Sequence, residues 1–293
     1  MFTDIKNDIS KKWQNGDAYI RLIIINIAAF LLILLPGVVA SVMSSNEAYR
    51  SFVLNYFCLP SSLGTLVFRP WTIITHIFVH FDPMHLVSNI LMLNFCGSLL
   101  FGRVTNSIFY RVYFLSGMAG VAAFIVGGNL LLQFSGGGFN AVAYGCSACV
   151  MGCLVCVTVL NPHQIVNLFL AGPVKMMYIT AFLVLIDLVY LYSTNSGGHI
   201  AHLGGSLFGW WYGTRILQGS YPGSWIDKAI GLLSFKPKPK MKVTHRRSVS
   251  DEDYNAQKKA NQEEIDAILD KISRSGYDSL SAREKEILFK ASK

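Results

Sequence analysis

Tyr144-Gly145-Cys146-Ser147-Ala148-Cys149-Val150-Met151-Gly152 opens an apolar run that continues to Leu160. The run suits a bilayer, yet it begins with a serine behind a glycine. Alone the hydroxyl proves little, because a serine in a helix can bond back to the carbonyl four residues earlier. Two further stretches give it meaning. One is His85-Leu86-Val87-Ser88-Asn89, inside an earlier apolar run. The other is Ala201-His202-Leu203-Gly204-Gly205-Ser206-Leu207-Phe208-Gly209, inside the last one. A serine, a histidine and a His/Asn pair are the groups acyl transfer needs: nucleophile, base and oxyanion donors.

Composition sets the setting. The chain has 293 residues, 52% hydrophobic and only 14% charged. Globular proteins carry about a quarter charged residues, so the expectation is an all-α, polytopic membrane protein. The net charge of +8 gathers in the two terminal segments and leaves the middle nearly uncharged, which argues against a nucleic-acid partner. Of the six cysteines, four (146, 149, 153 and 156) share one apolar run. They lie on one helix stripe and read as small polarisable packing residues, not as a disulfide framework or a metal site. There is no HExxH pattern for zinc and no internal repeat.

Read in order, the chain predicts four parts. Residues 1–19 form a basic cytoplasmic segment with Lys6, Lys11 and Lys12. Residues 20–217 form a membrane domain with six spans near 20–43, 85–101, 108–132, 144–160, 174–192 and 199–217. About 20 residues cross roughly 30 Å of hydrocarbon. The aromatic-rich link at 44–70 suits the membrane interface, and a loop at 133–143 holds Gly136-Gly137-Gly138. Residues 218–250 form a basic linker around Lys236-Pro237-Lys238-Pro239-Lys240. Residues 251–293 form a small cytosolic helical hairpin. Ile265, Ile268, Leu269 and Ile272 share one face there, and Ser281 with Glu284 resembles a capping box.

Lys and Arg residues crowd one side of this arrangement, leaving only Arg50 and Arg69 on the other. The positive-inside rule then makes both termini cytoplasmic. The spans that begin near His85, Ser147 and His202 consequently run in one direction. Their starts share one depth, near the outer face.

Each polar residue has two readings. His85 and Asn89, four apart, share a helix face and act either as functional groups or as helix glue. Gly204, Gly205 and Gly209 let a neighbouring helix approach His202 closely. His199, three residues earlier, competes with it. No carboxylate accompanies these residues. Asp187, the only acid in the middle of a span, reads as a structural hydrogen-bonder well below the outer level. A Ser–His pair suffices where packing fixes the imidazole.

These residues resemble the rhomboid family of intramembrane serine proteases over about residues 20–217. The HxxxN motif appears as His85–Asn89, with His80 five residues before. GxSG appears as Gly145-Cys146-Ser147-Ala148, and AHxxGxxxG runs from Ala201 through Gly205 to Gly209. The last motif selects His202 over His199. The tail is similar to C-terminal extensions of Bacteroidetes members. The resemblance implies Ser147 as nucleophile and His202 as its base. It implies His85 and Asn89, with the Ser147 amide, as oxyanion donors. It implies cleavage of transmembrane segments of other proteins near the outer face of a bacterial inner membrane, among lipids and without metal or cofactor. Four positions depart from the family: Ala148 for a glycine, Thr72 for an arginine after Trp71, Phe101 for a glutamate, and Met151 for a tyrosine. A rhomboid-like protein that only binds client helices is the alternative; a transporter would show repeats.

Overall fold

The computed structural model describes residue 13 and residues 16–100, 102–133, 141–168, 172–192, 195–233 and 251–291. The lysines of the N-terminal segment, Phe101, the glycine run at 136–138 and the basic run at 236–240 lie outside them. The chain divides into two units, Met1–Ser234 and Phe235–Lys293.

The first unit opens with α1 (Ala18–Val42), α2 (Asn46–Phe57), β1 (Leu59–Pro60), α3 (Leu63–Phe68) and α4 (Thr72–Thr75), which runs into a 3-10 turn at His76–Phe78. Then follow α5 (Pro83–Leu100), α6 (Asn106–Gln133), β2 (Val142–Ala143), α7 (Ser147–Leu160), β3 (Ile165–Leu168) and β4 (Gly172–Lys175). The unit ends with α8 (Met176–Val189), α9 (Ser196–Leu217) and α10 (Trp225–Leu233). Each of the six predicted spans falls on one helix: α1, α5, α6, α7, α8 and α9. Three of these, α1, α5 and residues 106–127 of α6, are long and apolar enough to cross a membrane. Helices α7 and α8 are apolar but have only 14 residues each, about 21 Å of rise.

The architecture is mostly helical but not purely so. Leu59 pairs with Ala143 and Pro60 with Val142 in one antiparallel ladder, and β3 pairs with β4 in another. Two-residue strands carry no alternation that a sequence could reveal. The predicted basic linker is also corrected. Its first part folds back as α10, because Arg111 of α6 holds Asp227 through two hydrogen bonds. Arg111 also donates to the Tyr221 carbonyl at 2.7 Å.

Helix α7 is the hub. Nearly every residue from Ala148 to Val157 is buried, as expected of a helix that is apolar all round. Its neighbours approach through glycine. A Cβ on Gly205 would strike the Ala148 carbonyl, one on Gly209 the Gly152 carbonyl, and one on Gly152 the Ser116 side chain. Such contacts suit helix association in lipid, where packing replaces the hydrophobic effect. Cys146, just before α7, and Cys149, Cys153 and Cys156 within it are free and fill the same core.

The link at 44–70, predicted for the membrane interface, holds two short helices, α2 and α3, knitted to α4. Trp71 Nε1–H donates to the Tyr56 carbonyl at 2.8 Å and the Thr75 hydroxyl to the Phe57 carbonyl at 2.8 Å. Arg69 lies 4.6 Å above the Tyr56 ring, so the indole and the guanidinium are anchored without an arginine at 72. Phe52, Phe68 and Trp71 remain exposed, as side chains facing lipid would.

The second unit holds α11 (Asp251–Ser275) and α12 (Ala282–Ala291). Ile268 and Leu280 are its buried apolar residues. Glu284 accepts from the Ser281 amide at 2.7 Å while the Ser281 hydroxyl accepts from the Glu284 amide at 3.3 Å. This reciprocal pairing is a capping box. Lys271 donates to both Glu284 oxygens and, with Ser281, holds that carboxyl down to about 2.

Candidate active site

The site forms where three parallel helices begin. His85 is in the first turn of α5, Ser147 is the first residue of α7, and His202 is in the second turn of α9. All three line one cavity of about 160 Å³. Leu59, Val142 and Ala143 of the first ladder also line it.

Local chemistry sets each start. The Asp82 carboxylate accepts from the Met84 amide at 2.9 Å, and Pro83, whose missing N–H would go unpaired at a first helical position anyway, opens α5. Before α7 the chain turns through Gly145 at φ +100°, a left-handed conformation that favours glycine. The Gly145 amide donates to the His76 carbonyl at 2.8 Å. A Cβ at Gly145 would lie 2.7 Å from His85 Cε1, so the glycine also makes room for that ring. Helix α7 then starts with amides that have no intrahelical partner.

Ser147 Oγ lies 2.7 Å from His202 Nε2. His202 Nδ1 in turn lies 2.8 Å from Asp187 Oδ1, and His199 Nδ1 lies 2.7 Å from the same oxygen. The reading of Asp187 as deep and unrelated to the serine is therefore corrected. Asp187 is two residues before the end of α8, and α9 begins after a short connection. At about 1.5 Å of rise per residue, five residues from the predicted end of the span amount to about 7.5 Å. The second turn of the next helix reaches that depth. Counting rise on both arms of the hairpin was the signal that could have found it. Both histidines, not one, meet the carboxylate, and His199 also stacks on Tyr190 at 5.5 Å between ring centroids.

The other motif residues divide. His85 lines the cavity, its ring 5.1 Å from that of His80. Asn89 is buried and is not among the lining residues; its Nδ2–H donates to His80 Nε2 at 3.1 Å. His76 and His80 lie between the spans, and burial pushes both imidazoles down to about 4. Both are neutral at neutral pH. The methyl of Ala148, where the motif has glycine, faces Gly120; a Cβ there would sit 2.7 Å from it. The extra methyl is thus accommodated on α6, and it leaves the Ser147–His202 distance short.

Among the described residues, Asp187, His199 and His202 form the one group whose donor atoms could converge on a metal ion. Their 2.7 and 2.8 Å separations are those of N–H···O hydrogen bonds.

A rhomboid-domain family model matches residues 67–219, just over half of the chain. The chain belongs to the rhomboid family. The match covers the polar residues of the site, from His76 to His202, and the whole cavity lining except Leu59. Rhomboids are in general intramembrane serine proteases, which fits a serine and an imidazole meeting in a cavity between apolar helices. A second model, described as a family of unknown function (DUF6576), matches residues 249–293 of this rhomboid, the segment holding α11 and α12. No curated protein matches the chain.

Proposed function

We propose that this rhomboid is an active serine endopeptidase that cuts transmembrane segments of other membrane proteins near the outer face of a bacterial inner membrane. The observation that carries the reading is the 2.7 Å contact of Ser147 Oγ with His202 Nε2 inside the cavity. An inactive client-binding relative has no need of that contact. Ser147 Oγ attacks the scissile carbonyl carbon as its proton passes to His202 Nε2. The resulting oxyanion is met by the Ser147 amide and His85. The C–N bond then breaks, with the proton moving from His202 to the leaving amine. Water, deprotonated by His202, hydrolyses the acyl-serine. A fluorophosphonate probe is the direct test. It should label the purified protein, and the label should vanish in Ser147→Ala and in His202→Ala. Equal labelling of wild type and Ser147→Ala would sink the assignment.

The proposed topology has six spans and both termini in the cytoplasm. The cavity end carries Arg50 and Arg69, whereas Arg103, Arg111, Lys175 and Arg215 belong to the opposite side, which supports this orientation by the positive-inside rule. Reporters fused before Met1 and after Lys293 should read cytoplasmic. One inserted at 193–195, ahead of α9, should read external. A cytoplasmic reading there would overturn the orientation.

Asn89 separates two roles in one experiment. Its amide is committed to His80, and Asn89→Ala leaves His80 Nε2 with only the weak, 3.8 Å contact of the Cys146 thiol, a loss of about 1–3 kcal/mol. The melting temperature should fall while kcat drops less than about tenfold. A loss of about 10²–10³ in kcat at unchanged melting temperature is the mark of an oxyanion donor and would assign Asn89 to that task.

A further inference from the structure

The cavity does not explain Asp187 and His199. Asp187 is 4% exposed, in the last turns of a mostly apolar helix in which it is the only charged residue. A carboxylate in such a place is costly unless hydrogen-bonded, and polar residues inside spans mark function by default. Its Oδ1 is met by two imidazoles at once, His202 Nδ1 at 2.8 Å and His199 Nδ1 at 2.7 Å.

The bonding order follows from donor capacity. An ionised carboxylate only accepts, so each Nδ1 must carry a proton. A neutral imidazole protonated on Nδ1 has its lone pair on Nε2. For His202 that lone pair faces Ser147 Oγ at 2.7 Å, which is the orientation a base needs.

We propose that Asp187 is the positioning residue of this site: it holds His202 in the Nδ1–H tautomer, and His199 is a second donor that locks the carboxylate in place. The inference rests on the protease reading and deepens it. Three helices then supply the array: Ser147 from α7, His202 and His199 from α9, and Asp187 from α8. Asp187 touches no reacting atom. It acts through His202, fixing its ring and stabilising the imidazolium that forms when Ser147 gives up its proton. His199 is itself fixed from behind by the stack on Tyr190. One oxygen with two N–H donors has less freedom to rotate than one with a single donor.

The test compares wild type, Ser147→Ala, Asp187→Asn and His199→Phe on one model transmembrane substrate, with melting temperatures alongside. Asp187→Asn is isosteric but lacks the charge. It should lower kcat by up to about 10⁴-fold, the size of the loss when the third group of a triad is removed, with KM within about threefold. His199→Phe keeps a ring on Tyr190 and loses one hydrogen bond; its kcat should fall by about three- to tenfold. A merely structural carboxylate would shift the melting temperature and not divide kcat from KM. The ¹⁵N spectrum of histidine-labelled wild type adds a readout that needs no Asp187 variant. His202, assigned by its absence in His202→Ala, should carry its proton on Nδ1. A folded Asp187→Asn with kcat within threefold of wild type overturns the inference, and so does a wild-type His202 protonated on Nε2. If Asp187→Asn does not fold, the spectrum decides. The protease reading fails separately: it falls if wild type does not cleave, or if Ser147→Ala cleaves equally.

Discussion

Ser147→Ala should remove cleavage of a transmembrane substrate entirely while leaving the melting temperature where it was. The hydroxyl is half-buried at the cavity wall, and the hydrogen bond it makes there is to His202. Removing a nucleophile that works as a unit with its base costs about a millionfold in kcat. Its contribution to packing is one oxygen facing a cavity, and substitutions of that kind stay within about 0.5 kcal/mol of stability. The pairing of the two results matters. Lost activity with a collapsed melting curve would speak only of folding. Retained activity near wild type would contradict the assignment of Ser147.

Gly205→Ala should show the opposite pairing in part: activity lost and stability lowered together. Gly205 stands one turn below His202 on α9, and an added Cβ would strike the carbonyl of Ala148, backbone of the first turn of α7. No side chain can rotate away to relieve that contact, so the two helices must part. They carry His202 and Ser147, and a 1 Å displacement of reacting groups costs about 100-fold. Overpacking a tight interface costs about 1–3 kcal/mol besides. Cleavage assays with thermal unfolding in detergent measure both. An activity within threefold of wild type would mean that the glycine contact does not set the Ser147–His202 distance.

The glycine contacts also explain what the sequence made legible. Ser147, His85 and His202 each stand at a helix start, and charge asymmetry alone predicts that those three helices run in one direction. The cavity they share follows from direction and depth, without knowledge of packing. Asp187 was legible as an acid in a span but not as a partner of His202, because its depth depends on where α8 ends, and helix ends are the least certain feature of a sequence reading. Helix α10 was hidden for a different reason. The bond that folds it back joins Asp227 to Arg111, 116 residues apart, and no local pattern encodes such a pair. The accommodation of Ala148 by Gly120 is equally non-local. From the sequence the added methyl predicts crowding, and only the packed helices reveal the space opposite.

In the proposed function, the cavity at the start of α5, α7 and α9 breaks peptide bonds in a membrane-embedded helix. The most direct measurement places the purified protein in liposomes with a single-span substrate and determines by mass spectrometry the fragments formed by wild type and by Ser147→Ala. One major cut is expected in the outer part of the substrate's span, present with wild type and absent with Ser147→Ala. No fragment from wild type, or the same fragment from both proteins, would contradict it.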